Sequence, residues 1–116
     1  MGQTGYVADT SEVLRRWFDA HLAGDLDTAR TLLAPEARIR VPDAELQGFD
    51  ELMAWYRARR DSHPSFEYEV LDILGGDRHA AAVIRLTDEN TEWRQVALYE
   101  VADGRIVAMS AYEDRP

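Results

Sequence analysis

The side chains of this sequence that could move a proton or hold a charged oxygen are few, and two of them interrupt apolar stretches. Arg85 lies within the apolar run of residues 80–87, and a guanidinium buried in such a strand needs a partner. His21 follows Trp17 by one turn on an apolar helical stripe. Each residue has two interpretations: acid–base or oxygen-binding chemistry, or a structural ion pair for Arg85 and a hydrogen-bonded core position for His21.

Metal and cofactor chemistry has little support in the sequence. His21, His63 and His79 show neither H-x-H nor H-x-x-x-H spacing, and there is no cysteine. A glycine-rich phosphate loop and a G-x-S-x-G elbow are also missing. We therefore expect no metal and no cofactor.

The first half of the chain has three helix signals. Asp9, Thr10 and Ser11 can cap a first helix that Gly24 ends. A short helix over residues 26–33 follows, and a third helix, capped by Asp50, stops at residues 61–64. Residues 1–9 are predicted to be a flexible leader, and residues 10–116 a single domain.

The second half alternates in the manner of consecutive strands. A first strand is predicted at residues 38–41, ahead of the third helix, and a loop at residues 43–48. Four more strands are predicted at residues 66–74, 80–87, 93–101 and 105–113, separated by Gly- and Asp-rich turns. The order predicts an α+β fold, with the helices packed on one face of a curved antiparallel sheet.

Composition narrows the function classes. The chain has 116 residues, 46% of them hydrophobic, and a net charge of −9, which suits one globular domain. Binding to nucleic acid or to an anionic membrane surface is disfavoured because the basic residues are scattered among acids. No apolar run approaches 18 residues, and the start of the sequence has no signal-peptide pattern, so a cytoplasmic location is expected.

Four segments resemble a known family. The stretch WFDAHLAGDLD at residues 17–27, LLAPEA at residues 32–37, Gly48, and DGRIV at residues 103–107 are similar to the SnoaL-like polyketide cyclase branch of the nuclear transport factor 2-like superfamily, which is related to ketosteroid isomerase. The resemblance spans residues 11–114. It implies a cone-shaped curved antiparallel sheet that three N-terminal helices close around a central pocket for a small apolar molecule.

The resemblance also implies which side chains face that pocket. The candidate catalytic residues are Glu113, Arg85, His21, Gln95 and Tyr99. The candidate substrate-binding residues are Trp17, Val41, Trp55, Tyr56, Val83, Trp93, Ala97, Met109 and Ala111. Structural alternatives remain open: Glu113 could be a solvated rim residue, Arg85 could bridge to Glu113 or Glu67, and Gln95 and Tyr99 could satisfy each other.

When the chain is placed on the pattern of the related enzymes, two function classes remain open. The base and the two oxyanion donors of ketosteroid isomerase fall on Val41, Trp17 and Ala97, and the acid–base Asp of the cyclases falls near Ala111. The leading hypothesis is a cofactor-independent cyclase, isomerase or dehydratase acting on a small apolar polyketide-like or carbonyl compound. In this hypothesis, Glu113 or His21 moves a proton. Arg85, Gln95 and Tyr99 hold an enolate-like oxygen.

The loss of the family's acid–base residues favours the alternative, a non-catalytic small-molecule-binding or accessory protein. A scaffold that only dimerises is a third hypothesis. We also expect a homodimer through the outer sheet face, because that face would expose an apolar patch. Its predicted members are Val96, Leu98, Ile106, Ala108 and Tyr112.

Overall fold

The structure, a computed structural model, describes residues 9–114. Its elements are α1 Thr10–Ala23, α2 Leu26–Leu32, β1 Leu33–Val41, β2 Ala44–Gln47, α3 Gly48–Ser62, β3 Glu67–Gly75, β4 His79–Asp88, β5 Thr91–Ala102 and β6 Arg105–Glu113. The predicted α+β fold, three helices and a curved, unclosed sheet, is confirmed. The leader prediction for residues 1–8 lies outside the described residues, and Asp9 already belongs to the cap of α1.

Helix α1 forms as its caps and apolar stripe predict. The carboxylate of Asp9 accepts a hydrogen bond from the Ser11 backbone N–H at 2.9 Å, which satisfies a donor at the open end of the helix. Gly24 ends the helix in the left-handed conformation, at φ 71°. Leu14 and Trp17 of this stripe are fully buried, and they fix α1 against the sheet.

The junction before α3 differs from the prediction. Residues 44–47 form strand β2 rather than a loop, and β2 pairs with β1 through a turn at Pro42 and Asp43. Helix α3 is capped at Gln47, whose N–H donates to the Glu51 carboxylate at 2.8 Å, and not by Asp50. Four residues with a half-exposed alternation are too weak a pattern to distinguish a strand from a loop.

The sheet has the order β2-β1-β6-β5-β4-β3. Within residues 9–114, β1 pairs with β6 in parallel, while the other neighbours are antiparallel. Helices α1 and α3 cover the inner face. No helix in this part of the chain is long and apolar enough to cross a lipid bilayer.

The in–out alternation of β5 matches the prediction, but that of β4 is shifted by one residue. Ile84 and Leu86 are buried on the inner face, so Val83 and Arg85 point outward, contrary to the prediction. In β6, a bulge opposite residues 100 and 101 turns Ile106 inward, where it is fully buried. The predicted outward position of Ile106 was therefore wrong.

Candidate functional site

A cavity of about 190 Å³ lies between the inner sheet face and helices α1 and α3. Every strand but β2 contributes to its wall, together with both helices, so the cavity is a product of the whole fold. Its lining is Phe18, Val41, Trp55, Tyr56, Arg59, Arg60, Phe66, Tyr68, Ile84, Leu86, Gln95, Tyr99, Met109 and Ala111. Apolar and aromatic walls with a few polar groups are typical of small-molecule sites.

Three tyrosines give the cavity its polar character. Tyr56 comes from α3, Tyr68 from β3 and Tyr99 from β5, and all three line the same space. Burial raises the pKa of each phenol, and the mutual proximity of the three raises the pKa of Tyr99 further. The hydroxyls therefore stay protonated at neutral pH, and among residues 9–114 none of them forms a hydrogen bond.

Arg59 and Glu113 form a buried ion pair at one end of the cavity. The guanidinium Nη2 lies 3.0 Å from the Glu113 Oε2, and the two side chains are only 14% and 7% exposed. The guanidinium also lies over two rings, 5.1 Å from the centre of Trp55 and 4.8 Å from that of Phe66. Opposite charges, aromatic faces and burial hold Arg59 in one place.

A second hollow of about 440 Å³, the mouth pocket, shares Trp55 and Arg59 with the cavity. Its lining is Pro42, Asp43, Trp55, Ala58, Arg59, Ser62, His63 and Glu113. The Trp55 indole N–H donates to Asp43 at 3.0 Å, and His63 Nδ1 lies 2.9 Å from Asp88 Oδ2. The mouth pocket is therefore lined by side chains that are mostly paired.

Eight of the fourteen candidate residues from the sequence meet in these two hollows. Gln95, Tyr99, Val41, Trp55, Tyr56, Met109 and Ala111 line the cavity, and Glu113 lines the mouth pocket. Trp17, Trp93 and Ala97 are buried in the core beside the cavity rather than in its lining.

His21 also lies outside the cavity lining. Its Nδ1 donates to the Trp17 carbonyl at 2.8 Å, and its ring contacts the rings of Trp17 and Tyr56. Burial lowers the pKa of His21, so the imidazole is neutral at neutral pH. The position matches the core interpretation of this residue.

Arg85 is on the wrong face for the predicted role. It pairs with Glu69 on the outer face, where the two side chains are 40% and 58% exposed. Val83 lies on the same face, paired with Val96. The predicted contact between Arg85 and Glu113 is therefore replaced by the pair of Arg59 and Glu113.

Seven residues of the cavity lining were not predicted as site residues: Phe18, Arg59, Arg60, Phe66, Tyr68, Ile84 and Leu86. Arg59 follows Trp55 by four residues on α3, and this helical spacing was the available signal for its inward position. No sequence signal links Arg59 to Glu113, because the contact joins residues on separate elements. Among the described residues no cluster of three His, Asp or Glu side chains suits a metal ion.

Several solved structures have this fold. The chain is 20% identical to a candidate SnoaL-like polyketide cyclase from Jannaschia sp. CCS1, with a TM-score of 0.78, covering 97% of this chain and 92% of that one. It is 20% identical to a candidate polyketide cyclase from Sinorhizobium meliloti, with a TM-score of 0.76 and coverages of 87% and 94%. It is 21% identical to a candidate ketosteroid isomerase from Kribbella flavida, with a TM-score of 0.75, covering 92% of this chain and 78% of that one.

At these identities the structures show the shared fold. A comparison with curated proteins gives no significant match. The sequence model of the SnoaL-like domain family matches residues 14–109, most of the chain and every element that builds the cavity except the first residues of α1 and the end of β6. The chain belongs to the SnoaL-like domain family.

Proposed function

We propose that this protein is a cofactor-independent enzyme of the isomerase, cyclase or dehydratase type that acts on a small apolar carbonyl compound. The observation that carries the proposal is the group of three uncommitted phenol hydroxyls, on Tyr56, Tyr68 and Tyr99, at one cavity. The family membership and the cyclase and isomerase assignments of its structural neighbours support the same reaction class.

The tyrosines suit the binding of a developing oxyanion. A buried phenol with a raised pKa donates its O–H without losing it, and donors fixed before the reaction stabilise negative charge more than water does. Gln95 adds an amide to the same wall. A carbonyl oxygen that becomes an enolate would gain hydrogen bonds as its charge grows, which is the requirement for catalysis.

Proton transfer would take place at the end of the cavity next to the mouth pocket. The cavity lining itself contains no carboxylate and no imidazole among the described residues. Glu113 and His63 both line the mouth pocket, beside Arg59. A substrate with its oxygen at the tyrosines and its acidic carbon near Arg59 would thus contact the hydroxyl donors of the cavity and the proton acceptors of the mouth pocket.

The proposal is tested with β-tetralone, a small bicyclic ketone, in deuterated water. We expect the protein to accelerate exchange of the protons next to the carbonyl, followed by proton NMR. Tyr99→Phe should lower the catalysed rate by about 100-fold, the usual effect of losing one oxyanion donor. Tyr112→Phe, on the exposed outer face, is the matched control and should retain the rate.

The rival function is a binding protein of the same fold. It is favoured by Val41 and Ala111, apolar residues in the cavity lining at positions where related enzymes carry acid–base groups. If β-tetralone binds in an NMR titration but its protons exchange only at the background rate, the binding function replaces the catalytic one.

We further propose that the protein is a homodimer through the outer sheet face. Leu98 and Tyr112 are 47% and 54% exposed there, beside Val96, and an apolar patch of this kind is unusual on a monomer. Light scattering at tens of micromolar should give twice the chain mass. Leu98→Glu should give a monomer, whereas Leu22→Glu, exposed on α1, should not; a monomeric wild type contradicts the proposal.

A further inference from the structure

We propose that His63, oriented by Asp88, is the catalytic base that removes the proton from a carbonyl compound bound across the cavity and the mouth pocket. The inference rests on the proposed function and deepens it, since it names the group that moves the proton. The substrate class is a small apolar ketone or related carbonyl compound with an acidic C–H next to the carbonyl.

The local structure fixes the position of His63. It caps the C-terminus of α3, where its backbone N–H donates to the carbonyls of Arg59 and Arg60 at 3.0 and 3.3 Å. Its side chain reaches Asp88 at the end of β4, with 2.9 Å between Nδ1 and Oδ2. Two separate elements therefore hold the backbone and the ring.

The Asp88 carboxylate also favours one tautomer of the ring. Because its Oδ2 lies 2.9 Å from Nδ1 and a carboxylate can only accept, a proton on Nδ1 is favoured in the neutral imidazole, which leaves the lone pair on Nε2. Among residues 9–114, Nε2 forms no hydrogen bond. His63 is half-exposed and lines the mouth pocket, while Asp88 is mostly buried. A positioned imidazole with an uncommitted nitrogen at a hollow is the arrangement of a general base.

The other candidates are poorer bases in this geometry. Protonation of Glu113 would leave the charge of Arg59 without its partner in a buried position, which is costly. Asp43 is engaged by the Trp55 indole N–H. His21 lies outside both linings and is enclosed by aromatic rings. Protonation of His63, in contrast, creates a cation next to the Asp88 carboxylate.

The proposed step is an enolisation. The Nε2 lone pair of His63 takes the proton from the carbon next to the carbonyl, and the C–H electron pair becomes a C=C bond. The carbonyl π pair moves to the oxygen, which the tyrosine hydroxyls stabilise. Return of a proton from His63 to carbon restores the C=O bond, at the original carbon or at a conjugated one. The step needs no other reactant.

The charged groups around the mouth pocket allow this role. Arg59 from α3 is neutralised by Glu113 from β6, and Asp43 follows β1. The Asp88 carboxylate from β4 is the group that directly faces the ring. The imidazolium formed in the step therefore lies among groups whose summed charge is negative.

The experiment uses exchange of β-tetralone protons in deuterated water. His63→Gln is expected to lower the catalysed rate by about 100-fold or more, the usual contribution of a general base, and Asp88→Asn by a smaller factor. His79→Gln, an exposed histidine at the start of β4, is the control and should retain the rate. Free imidazole should restore exchange to His63→Gly, because it can occupy the vacated position, and should add little to the wild type.

The outcomes separate this inference from the proposed function. If Tyr99→Phe lowers exchange but His63→Gln retains it, the function stands and the role of His63 is refuted. A His63→Gly variant that is folded by circular dichroism, inactive and not rescued by imidazole would show that His63 has a structural role only. If the wild type gives no exchange above background, both proposals are wrong.

Discussion

Glu113→Gln is expected to lower the free energy of unfolding by about 3–5 kcal/mol, the usual effect of breaking a buried ion pair. Arg59 and Glu113 are 14% and 7% exposed, so the loss of the carboxylate charge leaves a guanidinium that water cannot fully solvate. The neighbouring Trp55 and Phe66 rings stabilise the cation only in part. Urea denaturation followed by circular dichroism measures the change.

A double-mutant cycle measures the interaction free energy between Arg59 and Glu113. Arg59→Met should also lower the free energy of unfolding, because it leaves the buried Glu113 carboxylate without its partner. Arg59→Met combined with Glu113→Leu should lower it less than either single change, since neither charge is then left unpaired. The exposed pair of Arg85 and Glu69 is the control, with an expected interaction of about 0–1 kcal/mol. Additive costs for Arg59 and Glu113 would refute the buried pair.

Trp17→Ala is expected to destabilise the protein by about 3–5 kcal/mol, since it leaves a cavity in the core. Trp17 is 1% exposed, lies edge-on to Phe49 of α3 with 6.4 Å between ring centres, and belongs to the core rather than to the ligand cavity. We therefore expect the full loss of stability that a new core cavity causes, because Trp17 does not line the existing cavity.

Trp55→Ala is the matched comparison for Trp17→Ala. Trp55 is partly exposed and lines both hollows, so its removal should cost less stability and should weaken ligand binding more. Thermal unfolding and β-tetralone titration of both variants test the difference. Equal losses of stability would show that Trp17 packs no more tightly than a pocket wall.

The order of elements was predictable from the sequence because each has local signals. Asp9 and Gly24 mark the ends of α1 in the structure as they do in the sequence. Strand β2 was missed because its four residues are half-exposed. The pairing of β1 with β6 has no local signal, since it joins Ile39 to Met109.

The site was predicted where strand alternation was reliable and missed where it was not. In β5, Gln95 and Tyr99 face the cavity as expected. In β4, apolar residues occupy both faces, and the placement by family resemblance put Arg85 inside. The flanking Ile84 and Leu86 are the large apolar side chains that alternate with Arg85, and they correctly indicate that Arg85 lies on the outer face. Arg59 could not be matched to Glu113, because that contact depends on how α3 lies across the sheet.

The parallel pairing of β1 with β6 has a consequence for biosynthesis. Strands β3 to β6 are neighbours in the chain and can pair through short turns as they leave the ribosome. Strand β1, in contrast, is made early and must remain without its parallel partner until β6 has been translated, with the entropy of closing a long loop opposing the contact. During that interval α3 can pack on β1, but the edge of β1 that pairs with β6 has no partner. The nascent chain is thus most prone to aggregation just before its last strand emerges.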